Sequence, residues 1–190
     1  MNRNIVLCGV GGQGTVLASK LIAAAAMANG IPVMSAETIG MAQRGGNVFS
    51  HLRLGDNLYS PMIESGTADL IIGFEPGETV RMLPFLKPDG YVVVNKRAIH
   101  PVTATLTGSN YQGQAMLDYL QSRVSHLMII DGDAACQEIG SAKVLNMVLL
   151  GAAVRTGMLG ITEEDIKSAM HNTLSEKFHA LNDRAIDYTK

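Results

Sequence analysis

Ile5-Val6-Leu7-Cys8-Gly9-Val10-Gly11-Gly12-Gln13-Gly14-Thr15 is the stretch whose reading decides the fold. Four apolar residues of strand length run into a Gly-x-Gly-x-x-Gly turn, and an alanine-rich run from Val16 to Met27 follows at helix length. A strand, a glycine turn and a helix in that order open a Rossmann-like, doubly wound α/β sheet. Gly9 allows the tight turn, Gly11 lets backbone approach a pyrophosphate, and Gly14 permits close helix–strand packing. Gly12 and Gln13 complete the loop, and the helix N-terminus behind it favours an anion. Two readings stay open: the loop holds a nucleotide or other phosphate, or it serves only the turn and a neighbouring chain. Thr15 stands where a P-loop needs lysine, which excludes a Walker-type site.

Moving outward, the first helix should end near Asn29-Gly30, and Ile31 to Met34 reads as the second strand. Glu37 follows at about the distance where dinucleotide-binding sheets place an acid on a ribose hydroxyl; a solvated loop acid fits equally well. Between Glu37 and Gly46 lies the oddest stretch of the chain. Gln43-Arg44-Gly45-Gly46 suits neither a regular helix nor an ordinary turn, so it is expected to pack beside Gly9 to Gly14 as a functional surface. Arg44 either holds a carboxylate or phosphate in a fork or pairs internally with an acid. The candidate cofactor-binding set is therefore Gly9, Gly11, Gly12, Gln13, Gly14, Glu37, Gln43, Arg44, Gly45 and Gly46, with no catalytic and no metal-ligating residue.

Asn47 to Leu54 alternates weakly and precedes the turn-like Gly55-Asp56-Asn57, which predicts a hairpin with Leu58-Tyr59-Ser60. Leu70 to Gly73, Tyr91 to Val94 and Leu127 to Ile130 read as interior strands of a mostly parallel sheet. Gly108-Ser109-Asn110 marks a loop before a helix from Gln114 to Val124. Glu75, Asn95 and Asp131 fall just past strands and border one crevice, although strand ends are commonly polar and Glu75-Pro76 is also a good helix start. The last sixty residues read as helical, with a capping box at Thr162 and Asp165 and its staple at Ile161 and Ile166. Leu174, Phe178, Leu181, Ala185 and Tyr188 recur at helical spacing on one face. Val144 to Val154 is apolar nearly all round, so it is either a central covering helix or part of a subunit contact.

All 190 residues are read as a single domain (1–190), long enough to bury roughly 70% of its unfolded surface. Fifteen basic residues stand against seventeen acidic ones without runs of either sign, so the footprint of a nucleic-acid or anionic-membrane binder is missing. No stretch approaches membrane-spanning length, no signal segment is evident, and the chain is read as cytoplasmic. Cys8 and Cys136 lie too far apart in sequence to make a self-contained zinc or cluster motif. His51 reads as a packed or surface histidine, the scattered methionines as core filler. Gly-x-Ser-x-Gly, His-Glu-x-x-His and Tyr-x-x-x-Lys are all absent from the sequence. Two function classes stay open on these residues: a free-standing NAD(P)-dependent oxidoreductase and a nucleotide-binding module.

The glycine loop, Ala36-Glu37-Thr38 and Gln43-Arg44-Gly45-Gly46 together resemble the gamma-type subunit of 2-oxoacid:ferredoxin oxidoreductases, closest to the beta subunit of the indolepyruvate branch. Ser60-Pro61, Ala68-Asp69, Phe74-Glu75-Pro76, Glu78, Gly140 and Asn146 to Gly151 continue the resemblance along nearly the whole chain. It implies oxidative decarboxylation of a 2-oxoacid to an acyl-CoA, with electrons passed to ferredoxin. An arylpyruvate is the first choice of substrate, pyruvate or 2-oxoglutarate the second. It also implies thiamine diphosphate, iron–sulfur clusters and CoA in the complex, none bound by this chain alone. Gly132-Asp133 continues into Ala134 rather than a thiamine signature. The chain is thus expected to be a non-catalytic subunit, inactive alone, that completes a larger thiamine- and cluster-bearing partner. Ile39 departs from the histidine or aromatic frequent at its place in related sequences.

Overall fold

The computed structural model of the chain describes residues 2–38, 45–100 and 111–188. Gln43, Arg44, Ile39 and the Gly108-Ser109-Asn110 loop lie outside them. The first unit forms as its residues dictate: β1 (Arg3–Val10) leads through the glycine loop into α1 (Thr15–Ala28). β2 (Val33–Glu37), β3 (Asn47–Leu54), β4 (Ala68–Gly73), α2 (Pro76–Met82), β5 (Leu86–Asn95), α3 (Gly113–Arg123) and β6 (His126–Ile130) follow. Four helices close the chain: α4 (Gly132–Ile139), α5 (Leu145–Arg155), α6 (Glu163–Thr173) and α7 (His179–Asp187).

The strands make one six-stranded sheet in the order β2-β3-β1-β4-β5-β6. β1, β4, β5 and β6 run parallel, and β3 is antiparallel to both its neighbours. Helices cover both faces, so the interior strands are apolar on both sides, as continuous Val/Ile/Leu runs require. Ile5, Leu7, Leu70, Ile72 and Val93 face a core shared with α1, α4, α5, α6 and α7. Val6, Cys8, Ile71, Val92 and Val94 face a smaller core under α2 and α3. The doubly wound, mostly parallel architecture is therefore present.

Three local readings are corrected. Asn47 to Leu54 forms no hairpin with Leu58 to Ser60, because both of its edges are already paired, one with β1 and one with β2. The chain beyond it continues irregularly, tied back where Arg53 Nη1 donates to the Ser60 carbonyl at 2.9 Å, and Tyr59 is left almost fully exposed. The second strand starts at Val33 instead of Ile31, since the Ile31 amide closes the end of α1 on the Ala26 carbonyl. The face read from Leu174 to Tyr188 is broken: α6 ends at Thr173, a short turn spans Glu176–Phe178, and Phe178 stays exposed. The capping box at Thr162 and Asp165 is present with both of its reciprocal hydrogen bonds, in front of a fully buried Ile166.

α5 resolves the question its apolar run raised. Every residue from Asn146 to Val154 is buried within this one chain, between the sheet, α1 and α7. Gly151 makes that possible: a Cβ there would stand 2.1 Å from the Ile186 carbonyl oxygen, so α7 lies directly on the α5 backbone.

Candidate functional site

The carboxyl ends of the parallel strands meet at Phe74. Its carbonyl accepts from Gln13 Nε2 at 2.9 Å and from Asn95 Nδ2 at 3.2 Å. Gln13 Oε1 in turn accepts from the Val10 amide at 2.7 Å, and Asn95 Oδ1 accepts from the Gly132 amide at 3.2 Å. Two side-chain amides thus lash the ends of β1, β4 and β5 to the start of α4. Gln13 lines the crevice, but both ends of its amide are committed to backbone. Asn95, fully buried, is likewise a scaffold residue.

Three helices begin from this edge. α4 is capped by Asp131, whose carboxylate accepts from the Ala134 amide at 3.1 Å. That bond first, and then Lys96, holds the Asp131 carboxyl below its usual range. α2 is capped by the buried Glu75, which accepts from the Glu78 amide at 2.9 Å, with Pro76 at the first position and Glu78 in the first turn. The Tyr111 hydroxyl takes the Gly77 amide at 3.0 Å and donates to Glu75 Oε1. α1 differs: its N-cap is Gly14, no side chain caps it, and its first turn holds no acid. Its leading N–H groups take no side-chain cap among the described residues, the arrangement that suits an anion.

In front of α1 lies a cleft of about 410 Å³, bounded by Gly12, Gln13 and Gly14, by Arg97 and Ile99, and by the α4–α5 region with Asp133, Cys136, Lys143 and Asn146. Asn146 is 4% exposed, and its Oδ1 accepts from the Met147 amide. Its Nδ2 points at the glycine loop, 2.9 Å from where a Gly14 Cβ would stand, and makes no hydrogen bond to a described residue. Gly14, at φ +88°, accepts that approach and the left-handed backbone together. Lys143 forms no ion pair with a described residue, whereas Arg97 is paired with Asp133 at 3.0 Å, both well exposed. Unpaired donors, one lysine and a helix N-terminus make this cleft fit for a phosphate.

A second cleft, of about 450 Å³, sits beside α2 and is lined by Gly45, Gly46, Glu75, Glu78, Arg81, Ile99 and Tyr111 among others. Burial pushes the Glu78 carboxyl up, against the pull of Arg81 at 3.2 Å. Burial, and then the bond to Glu75, pushes the Tyr111 phenol up, so its proton stays in place to donate. Here the Tyr111 hydroxyl, the Gly77 amide and the Glu78 amide each already have a partner from the same fold.

The structure brings together part of the residue set read from the sequence. Gly45 and Gly46 pair with the glycine loop in both directions, Gly11 amide to Gly46 carbonyl at 2.8 Å and Gly45 amide to Gly11 carbonyl at 3.2 Å. Glu37 is not brought to that loop, because β3 stands between β2 and β1; a ribose acid requires adjacent strands. His51 is a packed core residue: its Nδ1 accepts from the Ile63 amide, its ring lies against Phe49 and Phe85, and burial holds its pKa below the usual value. Asn146, Lys143, Arg97 and Tyr111 were not singled out as site residues. Asn146 alone carried a signal, as one amide in an otherwise apolar helix.

The model of the pyruvate ferredoxin/flavodoxin oxidoreductase family matches residues 4–189. The indolepyruvate oxidoreductase subunit IorB of Thermococcus kodakarensis is 35% identical over 189 residues, covering 97% of this chain and 92% of the relative. The common gamma subunit of the pyruvate/ketoisovalerate oxidoreductases of the same organism is 26% identical, covering 89% and 87%. A solved 2-oxoglutarate:ferredoxin oxidoreductase from Magnetococcus marinus, with 2-oxoglutarate, coenzyme A and succinyl-CoA bound, shares the fold at a TM-score of 0.73 and 21% identity; the match covers 98% of this chain and 30% of that one.

Proposed function

The chain belongs to the pyruvate ferredoxin/flavodoxin oxidoreductase family, and from that premise we propose that it is the small, non-catalytic subunit of a thiamine-diphosphate- and iron–sulfur-dependent 2-oxoacid:ferredoxin oxidoreductase. Residues 1–190 act as one domain that completes a larger partner, in the cytoplasm, with ferredoxin as the electron acceptor. Among the described residues no helix is long and apolar enough to cross a membrane. Its 2-oxoacid is an arylpyruvate such as indolepyruvate. The higher identity to an indolepyruvate subunit than to a pyruvate/ketoisovalerate subunit supports that choice over pyruvate.

Clusters and thiamine do not fit the residues of this chain. Cys8 packs under the α2–α3 face and Cys136 against the opposite core, so the two thiols cannot reach one cluster. Burial also pushes both thiols up, away from the thiolate a metal needs. Gly132 and Asp133 are the opening turn of α4, and Gly132 is itself buried against Leu145 and Asn95. The chemistry therefore resides on the partner, and this chain's contribution is to bind and orient.

The observation that carries the reading is the bare N-terminus of α1 facing Asn146 Nδ2 and Lys143. We assign the phosphates of coenzyme A to it, through the N–H groups behind Gly14, the Asn146 amide and the Lys143 ammonium. A free-standing NAD(P) oxidoreductase is not favoured, because β3 keeps Glu37 from the glycine loop and the sequence relatives are subunits. The test is to purify the chain with and without the larger polypeptide that accompanies it. Each preparation is assayed with indolepyruvate, pyruvate and 2-oxoglutarate, given CoA, thiamine diphosphate and a one-electron acceptor. Turnover only in the complex, fastest with indolepyruvate, is expected. Turnover by the chain alone overturns the subunit reading, and a preference for pyruvate overturns the substrate.

A further inference from the structure

The two clefts share one wall. Ile99 lines both, and residues 96–100 run between them from the end of β5. Several contacts hold this wall. The Lys96 amide donates to the Ile130 carbonyl at 2.8 Å, and Arg97 pairs with Asp133. Ala98 abuts Gly113, where a Cβ would stand 2.2 Å from the Ala98 Cβ. At its far end the Ile99 amide donates to Glu75 Oε1 at 3.3 Å. The same oxygen receives the Tyr111 hydroxyl, and the Tyr111 ring meets His100 edge to face at 5.6 Å between centroids.

Glu75 is a stiff post for these contacts. It is 2% exposed, its other oxygen caps α2, and it directly follows Phe74, whose carbonyl is gripped by Gln13 and Asn95. Two hydrogen bonds joined by the Phe74–Glu75 peptide link thus connect Gln13 of the glycine loop to Ile99. Tyr111 closes this connection from outside, taking the Gly77 amide while donating to Glu75. Neither Glu75 nor Tyr111 lines the glycine-loop cleft.

We propose that Glu75 and Tyr111 are positioning residues: they set the 96–100 wall, and through Ile99 and Arg97 they set the width of the cleft in front of α1. This rests on the reading of that cleft as the coenzyme A phosphate site. Tyr111→Phe removes the hydroxyl that both accepts and donates, leaving the Gly77 amide and Glu75 Oε1 each short of a partner. The wall then loses an anchor while no side chain that lines the α1 cleft is itself altered.

The experiment measures kcat and KM for coenzyme A in the whole complex, for the parent, Tyr111→Phe and Lys143→Ala, with the thermal midpoint of each complex alongside. Tyr111→Phe is expected to raise KM for coenzyme A at least fivefold, with kcat within twofold. Lys143→Ala is expected to raise the same KM with no change in midpoint. If Lys143→Ala raises KM and Tyr111→Phe does not, the positioning role is overturned and the site reading stands. If neither raises it, the site reading falls and takes the positioning role with it. A lower midpoint and lower kcat at unchanged KM makes Tyr111 structural only and overturns the proposal. Should Tyr111→Phe not assemble, Ile99→Ala trims the wall without touching the pair and is judged by the same fivefold rise, its absence overturning the proposal.

Discussion

At α2, Glu75, Pro76 and the Tyr111 hydroxyl answer the first backbone N–H groups from within the fold; at α1, one strand away along the same edge, no side chain among the described residues does. Both helices follow parallel strands and face the same crevice, so local geometry alone does not separate them. What separates them is which donors remain unanswered. A helix end that supplies its own anion is a structural joint, and a helix end that leaves its donors bare beside a buried amide and a lysine is a place for someone else's anion. α4, capped by Asp131, sides with α2.

Emptying the self-capped end should have the largest effect. Glu75→Ala removes an N-cap and strands the Ile99 amide and the Tyr111 hydroxyl, costing about 3 kcal/mol. That corresponds to a fall of roughly 10 °C in Tm for a chain of this size. A scanning-calorimetry shift under about 2 °C would mean that the cap is ornamental, and the contrast with α1 would lose one side. Filling the bare end attacks the other side. Val16→Glu places an acid in the first turn of α1, which should stabilise the isolated chain by about 0.5 kcal/mol. The same acid should raise KM for coenzyme A in the complex about tenfold, since it competes for the N–H groups. A stabilised chain with unchanged KM would show that no anion docks there.

Asn146→Ala sharpens the comparison at finer scale. Removing one charge-assisted donor should weaken coenzyme A binding about fivefold, a loss of about 1 kcal/mol. Equilibrium binding to the complex reads it directly, and unchanged affinity would return Asn146 to a packing role. The smallest effect belongs to Asp131. Its folded-state pKa is depressed, chiefly by the Ala134 amide, so the stability it contributes is present above its unfolded value near 3.8 and is lost as pH falls through the folded value. Asp131→Ala should therefore lower Tm slightly at neutral pH and converge with the parent in strong acid. Parallel curves throughout would remove Asp131 as the cap.

The sheet was legible because β1, β4 and β5 are buried on both faces, and continuous Ile/Val/Leu runs leave few alternatives. The capping box of α6 was legible because both of its partners sit within four residues of each other. β3 was misread in its pairing. Gly55-Asp56-Asn57 carries real turn chemistry, with Asn57 at φ +56°, but a turn signal does not reveal that β1 and β2 have already claimed both edges. The same insertion moved Glu37 away from the loop it was matched to by spacing. Of the site, the glycines were visible and the donors were not. Asn146 and Lys143 reach the loop from about 130 residues further along the chain, and Tyr111 finds Glu75 across 36. Neither distance leaves a periodic trace.

Gly151 and Ile186 also bear on how the protein is made. α5 is the central helix of the larger core, and the element laid on it with backbone-to-backbone closeness, α7, is synthesised after it. Arg155 and Asp187, the ends of the two helices, are 32 positions apart, which at about 5–20 residues per second puts α7 behind α5 by about 2–6 seconds of translation. During that interval one side of α5 has no cover, and a chaperone has a defined apolar stripe to hold. Until Asp187 has been made this core stays open, and any truncation short of α7 leaves α5 as its uncovered face.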